Sequence, residues 1–155
     1  MKALLKLVLQ LHAWLVSGLQ WLQPLAALAA RLYVARVFFL SGLTKLRDWD
    51  ITLALFQDEY HVPLLPPEVA AVMGTTGETV LPVLLVLGLA GRIPALGLSV
   101  VNVVAALSLS DIAPAALQGH VFWGALLAGL AVYGSGPLTL DRWLGPWLAR
   151  RADGV

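Results

Sequence analysis

Cysteine is absent from this chain, and charged residues make up only 12% of it. The first absence removes disulfides, thiolate metal ligands, iron–sulfur clusters and a thiol nucleophile. The second separates the chain from soluble domains, where about 25% of residues are charged. No basic run could follow a phosphate backbone and the net charge is only +1, so nucleic acid is not a partner. A glycine-rich phosphate loop, a nucleophile elbow, an HExxH helix and an EF-hand loop are missing too. The three histidines lie far apart, none with a partner at metal-ligand spacing. No metal site is therefore expected, and no catalytic set can be named.

What is present is apolar, with 59% hydrophobic residues. A bilayer core of about 30 Å takes roughly 20 helical residues, and four segments meet that length: 25–45, 67–91, 93–110 and 115–134. Pro24 is well placed to start the first. Gly91 and Arg92 make a short turn, so the second and third should be antiparallel neighbours. The glycines sit in or beside these spans, where small residues let helices approach. The expectation is an all-α integral membrane protein, a four-transmembrane-helix bundle over residues 25–136.

Both ends are expected to be amphipathic helices. In residues 1–24, Leu4, Val8, Leu11, Leu15, Leu19 and Leu22 follow helical spacing beside a polar stripe of Lys6, Gln10, Ser17 and Gln20. Trp14 and Trp21 suit the headgroup level, so an interfacial helix is favoured over a fifth span. Lys2, Lys6 and the "ALAA" at 27–30 resemble a cleavable leader. The polar interruptions at Gln10, His12, Gln20 and Gln23, followed by Pro24, argue against cleavage. In the tail, residues 137–155, Leu140, Trp143, Leu144, Trp147 and Leu148 repeat an amphipathic pattern, with Pro146 set to kink or end it.

Lysine and arginine counts orient the bundle. With the N-terminus inside, Lys2, Lys6, Arg92, Arg142, Arg150 and Arg151 are cytoplasmic. Lys45 and Arg47 lie outside among Asp48, Asp50, Asp58, Glu59 and Glu68. The longest connection, 46–66, contains "WDITLALFQDEY", a short amphipathic helix stopped by "HVPLLPP". Its acids read as a solvated face, with Asp58, Glu59 and His61 at most a weak cation site.

Two charges stand inside spans. A charged side chain at the centre of a spanning helix costs about 2.5–3.5 kcal/mol on insertion scales and marks a candidate functional site. Arg36 lies roughly 18 Å past Pro24, and Glu78 roughly 16 Å past Pro67. Antiparallel neighbours would bring them level, so an Arg36–Glu78 ion pair is expected. Asn102, roughly 14 Å into the third span, could join that layer. Pro82 removes the amide that would bond the Glu78 carbonyl, which opens a pocket by a local kink. His120 lies in the outer third of the fourth span, on the side of Thr44, Lys45 and His61, and reads first as a hydrogen-bonded helix contact. Arg31 is shallower and should snorkel toward the cytoplasm. The pair reads equally as a device that fixes helix packing or as the wall of a ligand pocket, and less readily as a proton path.

The motifs "RLYVARVFFLSGLTKL", "EYHVPLLPPE" and "GETVLPVLLVLGLAGRIPALGLSVVNVVAAL" resemble the DoxX family of small bacterial membrane proteins, over about Arg31 to Leu140. The resemblance implies a four-helix bundle in the bacterial inner membrane, and it places Arg31, Arg36, Lys45 and Glu78 at recurrent charged positions. Residues 1–24 lie outside it. Family members are linked to thiosulfate oxidation with quinone as acceptor, and others resemble partners of redox-stress enzymes. A long "YHVPLLPP"-type loop resembles that of members encoded beside proteins that handle metal-related peptides.

Three functions follow as expectations. The first is a membrane subunit of a quinone-linked oxidoreductase, with quinone as the implied cofactor and Arg36, Glu78, Asn102, Arg31, His120 and Lys45 as candidate ligand-binding residues. The second is a non-catalytic anchor for a soluble redox or metal-handling protein, alone or as a homo-oligomer. The third, a small-solute transporter, ranks last because no inverted repeat is visible. Reporter domains fused at either terminus should read cytoplasmic and one inserted in the 46–66 loop external; an external reading at either end overturns the orientation.

Overall fold

The computed structural model describes residues 2–152, which form six helices. These are α1 (Lys2–Arg47), α2 (Trp49–Asp58), α3 (Pro67–Leu87), α4 (Ile93–Ser108), α5 (Pro114–Tyr133) and α6 (Asp141–Ala152). Among the described residues there is no strand, only an isolated bridge between Tyr60 and Leu109. Proline opens α3, α4 and α5, where the missing amide is one the helix start leaves unpaired anyway. Gly88 closes α3 in the left-handed conformation, φ 65°. Three helices are long and apolar enough to cross a membrane: α1, α3 and α5. The fourth member, α4, is apolar but has 16 residues, roughly 24 Å of helix.

The bundle is a ring. α1 packs on α3, α3 on α4, α4 on α5, and α5 returns to α1. Its core takes Val34 and Phe38 from α1, Leu85 from α3, Ala95 and Leu98 from α4, and Leu127 and Leu130 from α5. Gly42 permits a close approach of α1 to α3. A Cβ there would come within 2.7 Å of the Thr79 methyl and 3.0 Å of the Glu78 backbone.

The first span is not a separate helix behind Pro24. Pro24 lies inside α1, which runs unbroken for 46 residues, roughly 69 Å. The fully buried face of α1 begins at Arg31, after partly buried positions at Ala27, Leu28 and Ala30. Before it, residues 2–23 are exposed along their whole length, with Trp14 at 82% and Trp21 at 80%. α2 is the expected helix of the long loop, capped by Asp48, whose side chain accepts from the Ile51 amide at 3.0 Å. It folds onto α3 and α1, where Phe56 packs on Ala70 and Ala71. The α3–α4 turn spans residues 88–92, because α3 stops at Leu87.

Arg31 closes the end of the bundle at which α3 terminates. It does not snorkel: it is 1% exposed. Its Nε donates to Leu85 O at 2.8 Å, its Nη1 to Ser135 O at 3.0 Å and Leu138 O at 2.6 Å, and its Nη2 to Val86 O. These acceptors belong to the last turn of α3 and the α5–α6 connection. Helix C-terminal carbonyls carry partial negative charge and lack intrahelical donors, so a guanidinium satisfies them without a carboxylate. Around it, Leu140 N donates to Leu87 O at 3.0 Å, and Gly91 N donates to Asp141 Oδ2 at 2.6 Å. A side chain on Gly88 would press on Thr139 and on Arg31 itself. Arg31→Ala leaves four carbonyls without this donor and should cost at least ~3 kcal/mol in thermal unfolding of the detergent-solubilised protein. Arg31→Lys should recover only part of it, since an ammonium lacks the planar fork.

Candidate functional site

On α1, residues 31, 34, 35, 38 and 42 are buried, a single face at helical spacing. Lys45 falls three residues further along it and turns into the bundle. Arg36 lies five residues past Arg31, about 140° around the helix at 100° per residue, and is exposed. The Arg36–Glu78 pair is therefore corrected. Glu78 is paired with Lys45, whose Nζ donates to Glu78 Oε2, and the two side chains are only 16% and 7% exposed. Lys45 also donates to Ser41 Oγ at 3.1 Å. Because α1 runs on through Pro24, that residue does not mark the edge of the bundle, and Gly42 rather than Arg36 lies against Glu78. Arg36 lies outside the buried face of the bundle, and its long stem can carry the guanidinium toward the N-terminal end of α1, the direction in which helix side chains tilt.

Above the ion pair lies a cavity of about 540 Å³, within the usual range for sites that bury a small molecule. Its walls are mostly apolar: Phe38 of α1, Met73 of α3, Val101 and Val104 of α4, and Trp123 of α5. Lys45 and Glu78 are its charged groups, and Ser41, Tyr60, Ser108 and His120 its other polar ones. The roof comes from the α2 region. Phe56 and Tyr60 pack with their rings tilted by 47° and centroids 5.0 Å apart, and the chain after α2 is tied to the end of α4 by His61 N donating to Ser108 O at 2.8 Å. Burial first, then the negative charges of Glu78 and Glu59, push the Tyr60 phenol above its ordinary pKa. It therefore stays a neutral hydroxyl through neutral and mildly alkaline pH.

Asn102 and His120 join α4 to α5. Asn102 Nδ2 donates to His120 O at 2.9 Å, and His120 Nδ1 lies 2.9 Å from Asn102 Oδ1. The ring of His120 packs edge-on against Trp123 at 5.1 Å. Of the residues singled out from sequence, Lys45, Glu78 and His120 share the cavity, Asn102 supports it, Arg31 closes the opposite end and Arg36 faces outward. Tyr60, Ser41, Ser108 and Trp123 were not anticipated. Ser41 carries a readable signal, one helical turn before Lys45. Tyr60 carried none, because its loop reads as external until α2 folds back. Asp58, Glu59 and His61 do not gather: among the described residues no three His, Asp or Glu side chains converge, and His61 Nδ1 engages Glu59 O at 3.1 Å.

The sequence pattern of the DoxX family matches residues 26–111, just over half of the chain. No curated protein and no solved structure matches it.

Lys45→Met should strand Glu78 beside the cavity and cost ~3–5 kcal/mol if the carboxylate stays charged. Combining it with Glu78→Gln should recover a large part, whereas Arg36→Ala should stay within about 0.5 kcal/mol. Unfolding midpoints in detergent decide between them, and an Arg36→Ala loss equal to that of Lys45→Met would contradict the assigned pair.

Proposed function

The chain belongs to the DoxX family, and from that premise we propose that it is a membrane subunit of a quinone-linked oxidoreductase system, seated in the bacterial inner membrane with both termini cytoplasmic. The observation that carries this reading is the cavity over the Lys45–Glu78 pair. A quinone has a flat polar headgroup and an apolar tail. The cavity offers the same division, with charged and hydroxyl groups at one side and aliphatic and aromatic walls elsewhere. Lys45 can donate to a headgroup oxygen, Glu78 can hold or release a proton there, and Trp123 and Phe38 exclude water. When bound, the quinone supplies the redox chemistry that no residue of this cysteine-free chain provides. The lipid-soluble ligand would enter from the bilayer.

The exposed first half of α1 favours a companion role, anchoring a soluble redox or metal-handling protein. A helix so apolar is not stable in water. Pro24 removes one helix hydrogen bond at the base of this arm and supplies a bending point. We place the arm in the inner-leaflet interface, with Trp14 and Trp21 at headgroup depth and Lys2, Lys6 and Gln10 toward the cytoplasm. Its position makes it the first surface a soluble partner, or a second copy, would meet.

Titration of protein in nanodiscs with a short-tailed benzoquinone tests the main reading. Saturable quenching of tryptophan fluorescence is expected, weakened about tenfold or more by Glu78→Gln or Lys45→Met and unchanged by Arg36→Ala. Absence of saturable binding overturns it. Deleting residues 2–22 should leave quinone binding intact and abolish co-purification of a stoichiometric partner from native membranes; a partner retained without the arm refutes the docking role.

A further inference from the structure

The Asn102–His120 pair decides which hydrogen-bonding role the histidine can play. A backbone carbonyl only accepts, so the 2.9 Å contact from Asn102 Nδ2 to His120 O fixes which end of the amide is nitrogen. The other end, Oδ1, also only accepts, and it lies 2.9 Å from His120 Nδ1. The proton between them must therefore be on Nδ1. In the neutral ring, Nε2 is then a bare acceptor. The arrangement is well held. Asn102 is 4% exposed, Trp123 packs against the imidazole, and Gly124 leaves the space the amide occupies, since a Cβ there would come 3.2 Å from Nδ2.

His120 lines the same cavity as Glu78. With Nδ1 taken by Asn102, the nitrogen left for a ligand is Nε2. Glu78 Oε2 is taken by Lys45, leaving Oε1 as a second acceptor. Lys45, bonded to Glu78 and Ser41, keeps one N–H, and the Tyr60 hydroxyl can donate as well. Either can reach a carbonyl or a hydroxyl oxygen alike, so the donors do not discriminate and the acceptors do. In an apolar cavity an acceptor facing a carbonyl oxygen stays unsatisfied and repels it, while a hydroxyl satisfies it. We infer that the cavity selects the reduced, dihydroxy form of an aromatic headgroup over the dicarbonyl form, through a hydroxyl donated to His120 Nε2 with the tautomer set by Asn102. The inference rests on the quinone reading above and concerns binding alone. Asn102 is a positioning residue, acting on the ligand through His120.

The experiment compares a decyl benzoquinol with the benzoquinone of the same tail, titrated anaerobically into wild-type protein, Asn102→Ala and His120→Gln in nanodiscs. Nitrogen-15 spectra report the His120 tautomer, assigned through the His120→Gln variant. The wild type should bind the quinol about tenfold more tightly, the worth of one buried hydrogen bond, and should show a protonated Nδ1. Asn102→Ala should bring the quinol-to-quinone ratio toward unity, a change that loss of fold would not produce because the ratio is internal to each sample. Quinone bound as tightly as quinol overturns the inference and leaves the quinone site standing. Binding of neither form removes the site and the inference together. A protonated Nε2 overturns the inference whatever the affinities, and so does an unchanged ratio in a folded Asn102→Ala protein.

Discussion

A guanidinium buried among backbone carbonyls holds this bundle in register. Arg31 reaches across from α1 to the last turn of α3 and to the connection leading into α6, and everything further along α1 is placed by that attachment. From Arg31 to Lys45 is fourteen residues, roughly 21 Å of helix, which sets the depth at which the lysine meets α3. Gly42 then lets the helices close until Glu78 is within reach. Shifting Arg31 by one residue would rotate Lys45 by about 100° and leave the carboxylate without its partner.

The two ends of the bundle therefore use charge differently. At the end where α3 terminates, a cation is bonded to main-chain carbonyls of α3 and of the α5–α6 connection. Toward the opposite end a cation meets a carboxylate at the edge of a cavity, and serine, tyrosine and histidine stand around it. Buried ion pairs contribute little net stability compared with an apolar replacement. A pair that lines a cavity has a reason to be kept that a purely structural pair lacks. Phe56, Tyr60 and the segment tied to the end of α4 cover one side of that cavity.

The arm at the start of α1 belongs to a different environment from the ring. Its apolar residues touch no other described element, and its polar residues form a stripe rather than an end cap. Helical continuity through Pro24 joins arm and ring mechanically.

Much was legible from the chain alone. The apolar helices, the short helix in the long loop and the scarcity of charge follow from composition and local chemistry, which act within a few residues. The buried charges were legible as a set but not as partners. A soluble helix shows its rotation in its hydrophobic periodicity, because one face is wet. A membrane helix faces lipid as apolar as its core, so that signal is nearly silent and Arg36 looks as buried as Lys45. Only the packed structure decided that Arg31 is the clasp, that Lys45 rather than Arg36 meets Glu78, and that Tyr60 belongs to the cavity. These depend on the axial slide and rotation of α1 against α3, two rigid-body quantities fixed by contacts 33 to 107 residues apart in sequence.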